Sequence, residues 1–139
     1  MRKTARAVII NDNKLLVFYR SKVIDGKVIT YYAIPGGHLE ENETLEETVI
    51  REIKEEMNLD IEILDYLGNI IVDNQEEYYY HAKTVGGKLE FGGEELDRCS
   101  EDNYYEIRWL DIDKLSSSGI RALDLIKKVV YDENRYIFK

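Results

Sequence analysis

A chain of 139 residues with 44% hydrophobic and 34% charged content is sized for a single domain over 1–139 with its own core. Its formal net charge of −9 argues against an extended nucleic-acid backbone as partner, which needs a basic surface, but not against a small nucleotide whose charge a metal neutralises. The start lacks a leader's apolar run, no stretch approaches the ~18 apolar residues of a membrane span, and the lone Cys99 precludes an internal disulfide and points to the cytoplasm.

Residues 4–10 read as a first strand, Asn11-Asp12-Asn13 as a turn and residues 14–19 as a second strand. Asp25-Gly26 marks a hairpin turn returning through residues 28–33. Pro35-Gly36-Gly37 breaks the pattern and opens a loop. A helix begins at Thr44, where Thr44-Leu45-Glu46-Glu47 forms a capping box, and Leu45, Val49, Ile53 and Met57 form its apolar stripe. Residues 61–72, with Gly68 as a bulge, then 76–85, a short 88–91 and 104–110 read as further strands. Residues 92–103 form a polar loop, and Ile120, Leu123, Ile126 or Lys127, and Val130 space a last helix that starts at 116–119. Trp109 is expected in the core. The order predicts an α+β or α/β domain with helices packed on a mixed sheet.

The chemistry concentrates in Arg51-Glu52-Ile53-Lys54-Glu55-Glu56. Carboxylates at i, i+3 and i+4 share a helix face and repel one another. At roughly 100° per residue, Glu56 projects between Leu45 and Val49, Glu52 lies beside them and Glu55 further out, while Arg51, Lys54 and Glu47 point to solvent. Glutamates bordering a buried stripe need a partner. Hard divalent ions take carboxylate oxygens, and Mg²⁺ bridges one or two carboxylates to substrate phosphates.

This stretch resembles the Nudix box, Gly-x5-Glu-x7-Arg-Glu-U-x-Glu-Glu-x-Gly-U, where U is a bulky aliphatic residue. Gly37, Glu43, Arg51, Glu52, Ile53, Glu55, Glu56 and Leu59 fall in register, eight of nine defined positions, in a box covering 23 of the 139 residues. Asn58 stands where the family has Gly; Asn is the next-best residue for a left-handed position, so the departure is mild. Residues 32–37 resemble the family's aromatic-x-x-Pro-Gly-Gly lead-in, and residues 106–115 its late strand and following helical turn.

The resemblance implies a Nudix-type α/β/α sandwich with a mixed β-sheet. It also implies Mg²⁺-dependent hydrolysis, with Mn²⁺ as a substitute, of a pyrophosphate bond in a nucleoside diphosphate linked to another moiety. Nucleoside triphosphates, ADP-ribose, nucleotide sugars and dinucleotides are the substrate classes in view. By motif match Glu52, Glu55 and Glu56 are the metal ligands and catalytic carboxylates. The Gly36 carbonyl is a further metal ligand, because a loop glycine admits close approach. Gly37, Glu43 and Arg51 support the site. The general base is either a box glutamate or a later loop residue, with Glu95 first and Glu94 second; a solvated loop charge is the alternative. Arg6, Arg20, His38 and Tyr80 are candidate substrate contacts, Tyr19 a candidate wall of the cleft. Against this stand exposed basic residues, a surface histidine at 38 and a core role for at least one of Tyr78, Tyr79 and Tyr80. A homodimer follows from the resemblance, and a nucleotide sensor without turnover is the alternative function.

Overall fold

A computed structural model of the chain describes residues 1–93, 96 and 99–137, with side chains through residue 130. The strands are β1 (Arg2–Val8), β2 (Ile10–Asn11), β3 (Lys14–Ile24), β4 (Lys27–Ala33), β5 (Gly36–His38), β6 (Leu59–Val72), β7 (Gln75–Gly87) and β8 (Asn103–Asp111). Helix α1 (Leu45–Met57) follows β5; a 3-10 helix, η1 (Ile112–Ser117), and helix α2 (Leu123–Ile137) follow β8. One sheet runs β5-β1-β7-β6, with β1 and β7 parallel and the other pairs antiparallel. The second joins β2, β3 and β4, with β8 also on β3.

The side-chain period of two divides each strand between two cores. Ala5, Ala7, Leu16 and Phe18 pack with Val49, Ile53 and Met57 of α1. Val8, Leu15 and Val17 pack the other way, with Leu115, Ile126 and Val129 from η1 and α2. Helices thus cover opposite sides of a strand layer, an α/β/α sandwich with a mixed sheet, as expected. The same parity splits the tyrosine run: Tyr80 lies under α1 and Tyr79 in the opposite core. Among the described residues no helix is long and apolar enough to cross a membrane.

Local chemistry sets the joints. Asp25 and Gly26 have φ of 51° and 77° between the paired Ile24 and Lys27, a primed hairpin turn. Asp73-Asn74 repeats this, with φ of 48° and 64°, between Val72 and Gln75. The expected bulge at Gly68 coincides with a register shift beside Tyr66. Helix α1 carries the expected capping box, the Thr44 hydroxyl accepting from Glu47 N–H and the Glu47 carboxylate from Thr44 N–H. It ends on Asn58 in the left-handed conformation, φ 58°. The Asn58 Nδ2 also donates to the Lys88 carbonyl at 2.9 Å. Asn58→Ala therefore places a β-carbon at positive φ and deletes that bond. Urea unfolding should show a loss of about 1–2 kcal/mol, and Asn58→Gly, which keeps the conformation, a smaller one.

Four expectations are corrected. Residues 36–38 form strand β5 on β1 rather than a loop. Residues 88–91 form no strand, because Glu90 and Gly92 spend their N–H groups on the Met57 and Glu56 carbonyls at the end of α1. The last helix starts at Leu123, because residues 116 and 117 belong to η1 and positive φ at Gly119 and Ala122 separates the two. Trp109 is 37% exposed, on a strand that, among the described residues, pairs only with β3.

Candidate active site

Helix α1 presents its carboxylates in graded burial. Glu56 is 2% exposed, and the side chains of Glu52 and Glu55 are 16% and 54% exposed. This is the order the helical wheel predicts. Arg51 departs from it: expected in solvent, its side chain is only 22% exposed. The loop before α1 and strand β5 fold back over it. Its Nε donates to Glu43 Oε2 at 2.7 Å and its Nη2 to Glu43 Oε1 at 3.1 Å, a two-point fork. Nη2 also donates to the His38 carbonyl at 3.2 Å, and Nη1 reaches Glu52 at 3.1 Å and Glu55 at 3.2 Å. Glu40 lies 3.5 Å from Nη1.

The Arg51 hydrogen bonds are the largest cause holding the Glu43 carboxyl down at about 2; burial opposes them and the Thr48 hydroxyl, 2.6 Å away, assists. Glu43 in turn, and then the charges of Glu52 and Glu55, raise the Arg51 pKa further. One guanidinium thus faces four carboxylates, leaving a local excess of negative charge beside the buried Glu56.

Two glycines let the backbone close on this cluster. A β-carbon at Gly36, whose φ is +152°, would sit 2.1 Å from the Ala5 carbonyl oxygen across the β1–β5 pair. One at Gly37 would sit 2.3 Å from the Glu52 carboxyl carbon. Gly37→Ala should therefore turn the Glu52 carboxylate out of its place while leaving β5 paired. The expected reading is a fall of about 10-fold or more in divalent-ion affinity by calorimetry, with a melting midpoint within a few degrees of the native one.

Gly36, Gly37, His38, Glu52 and Glu56 line one cavity of about 220 Å³, with Thr4, Arg6, Arg20 and Tyr105 on its other walls. Its acidic lining, Glu52 and Glu56, offers the carboxylate oxygens that hard ions such as Mg²⁺ or Mn²⁺ take. Glu55 stands at the rim on Arg51. Among the described residues no three acidic, histidine or cysteine side chains already converge on one point. The fit is therefore one of donor chemistry, charge and the glycine cradle.

A second cavity, about 320 Å³, continues from the first and shares Arg6, Arg20, Ala33 and Ile34 with it. Its far wall holds Tyr31, Tyr32, Glu77, Tyr79 and Arg121. Glu77 is buried, accepts from the Tyr79 hydroxyl at 2.8 Å, and pairs with Arg6 at 3.2 Å and Arg121 at 3.3 Å. Burial first, then the Glu77 charge, pushes the Tyr79 hydroxyl pKa up.

Of the candidate substrate contacts, Arg6, Arg20 and His38 reach the first cavity. Tyr80 does not: it is buried under α1 with its ring 5.2 Å from that of Tyr66, and burial pushes its hydroxyl up to about 12. Tyr19 packs on Tyr32 and lines neither cavity. Glu95 and Glu94 lie outside the described residues; the preceding Gly93 stands against the backbone of Glu55 and Glu56. Sequence reading missed Glu77 and Arg121. The available signal was Glu77's place one residue before the tyrosines, on the parity of the buried Tyr79.

The NUDIX domain family model matches residues 1–132. The chain is 30% identical over 127 residues to the NAD-capped RNA hydrolase NudC of Vibrio atlanticus, covering 88% of this chain and 43% of that one. It is 29% identical over 106 residues to an ADP-ribose pyrophosphatase of Methanocaldococcus jannaschii, covering 72% of this chain and 59% of the relative. The chain thus spans about half the length of these curated relatives. In fold it resembles the crystal structure of a NUDIX-family hydrolase from Clostridium perfringens, with TM-score 0.66, 19% identity and 94% of each chain covered. With the family model matching residues 1–132, the box in register and the same architecture, this chain belongs to the Nudix family.

Proposed function

We propose that this chain hydrolyses a pyrophosphate bond in a nucleoside diphosphate linked to another moiety, with Mg²⁺ or, in its place, Mn²⁺. The observation that supports the reading is the cavity that Glu52, Glu56, the Gly36-Gly37 pair, Arg6 and Arg20 line together. Glu52, Glu55, Glu56 and the Gly36 carbonyl would hold the ion. When bound, it supplies charge neutralisation of the diphosphate and activation of the attacking water. Arg6 and Arg20 orient the phosphates. Arg51 and Glu43 fix the loop against the helix, so that the carboxylates keep their geometry through turnover. Glu95 is our first choice as the base that takes the water's proton, with Glu94 second.

The substrate is a small molecule, free rather than RNA-linked, in keeping with the chain's net charge of −9. The protein acts in the cytoplasm, as a homodimer. Incubation with Mg²⁺ and a panel of nucleoside triphosphates, ADP-ribose, nucleotide sugars, dinucleotides and NAD-capped RNA, read by mass spectrometry, tests the reading. Cleavage between two phosphates of a free nucleotide is expected. No cleavage anywhere on the panel, with metal-dependent nucleotide binding intact, would replace the hydrolase with a sensor.

A further inference from the structure

We propose that Glu77 is a positioning residue: it fixes the guanidinium of Arg6, which lines both cavities, in the orientation that meets the substrate's diphosphate. The proposal rests on the reading of the first cavity as a pyrophosphate-hydrolysis site. It deepens that reading by naming a residue that acts on the substrate only through another.

A buried carboxylate needs a reason. Among the described residues the buried acidic side chains are Glu56 and Glu77. Glu56 lines the proposed metal site, whereas Glu77 lies on β7 and lines only the second cavity. Desolvating a charge is expensive, and apolar groups in place of a buried ion pair often leave a fold no less stable. Glu77 is not needed to join the strands either. β1 and β7 already pair through their backbones from Arg2 to Val8. What the carboxylate adds is a fixed point for side chains.

That point is itself rigid. Glu77 Oε1 accepts from the Tyr79 hydroxyl at 2.8 Å, and Oε2 lies 3.2 Å from Arg6 Nη2. Arg6 is held at the other end of its fork as well, where Nη1 donates to the Ile34 carbonyl at 2.8 Å. Two restraints on opposite terminal nitrogens fix the plane of the guanidinium. Each of those nitrogens keeps a second hydrogen for a phosphate oxygen. Arg20 is held without a carboxylate. Its Nη2 donates to Asn103 Oδ1 and the Tyr105 hydroxyl, and its guanidinium lies 4.0 Å over the Tyr105 ring.

The charge balance is consistent with this role. Glu77 alone would cancel the charge that Arg6 offers to a diphosphate. Arg121 Nη1 donates to the same Oε2 at 3.3 Å, so the three groups together keep one net positive charge. Arg121 lines the second cavity and not the first, which places the compensating cation away from Glu52 and Glu56.

Methylenediphosphonate, an uncleavable analogue of the diphosphate common to every panel substrate, reads the contact by calorimetry in Mg²⁺. The kcat/KM of the best panel substrate reads it in turnover. Glu77→Gln should lower both about tenfold or more. The same substitution should cost nothing further in Arg6→Gln, and the full factor in Arg20→Gln. Non-additivity at one arginine and not the other marks action through Arg6. A tie that only stabilises the fold would lose the same factor on all three backgrounds, in step with the unfolded fraction. If Glu77→Gln does not fold, Glu77→Asp, which keeps the charge and draws the carboxylate back by one methylene, carries the same cycle. Native protein that does not bind the diphosphonate, equal affinities of native and variant protein, or the same factor lost with and without Arg6 would overturn the proposal. An Arg6-dependent loss of binding in a protein that cleaves nothing on the panel would leave the positioning role standing and remove the hydrolase reading, so the two failures are distinct.

Discussion

Glu56→Gln is expected to lower kcat/KM by about 10³-fold without unfolding the protein. Glu56 is 2% exposed, faces the cavity between α1 and β5, and is one of the few buried acidic groups in the fold. Glutamine keeps its volume and removes its charge, so the packing of the buried side chain is retained while an anionic oxygen is lost from the proposed metal set. Removing one of several like charges on a helix face also relieves repulsion. The melting midpoint in chelator should therefore hold or rise as activity falls. A structural role alone predicts the opposite pairing: a lowered midpoint with activity lost only in proportion to unfolded protein. The added stabilisation that Mg²⁺ gives the native chain should shrink in the variant, since ligand-induced stability follows affinity.

Glu43→Gln should be the largest stability loss among substitutions of the site's exposed or half-buried groups, about 2–3 kcal/mol at pH 7. The fork between Arg51 and Glu43, at 2.7 and 3.1 Å, ties the pre-helix loop to α1. Its carboxyl is held at about 2 by Arg51, against an ordinary value of 4.5. A depressed carboxyl contributes stability that is complete above its unfolded value and lost as pH falls through the folded one. The gap between native protein and Glu43→Gln should thus be constant above about pH 5, narrow below pH 4.5 and close near pH 2. Denaturant midpoints across that range check this. A gap that stays constant to pH 3 would mean that the ion pair is not what the substitution removes.

The graded burial of Glu56, Glu52 and Glu55 was legible because it depends only on the 100° step of one helix and its apolar stripe. The hairpin at Asp25-Gly26 and the cap at Thr44 were legible for the same reason: each is settled within four residues. Arg51 was misplaced because the helical wheel carries no information about the loop at Glu43 and the His38 carbonyl, eight and thirteen residues away, which enclose it. Residues 88–91 have strand composition, yet their N–H groups are drawn to the carbonyls ending α1. Glu77 and Arg121 were invisible for a longer-range reason. Their contact spans 44 residues, and the same carboxylate meets Arg6 because β7 lies beside β1 in the sheet.

The most direct test of the central account is hydrolysis of the best panel substrate in ¹⁸O-labelled water, with Mg²⁺ or with chelator, by the native chain and by the Glu52→Gln, Glu56→Gln double variant. The account predicts one labelled oxygen in a single phosphate product, dependence on the metal, and no labelled product from the double variant. Label on a carbon-bound oxygen rather than on phosphorus, or turnover that persists in the double variant, would contradict it.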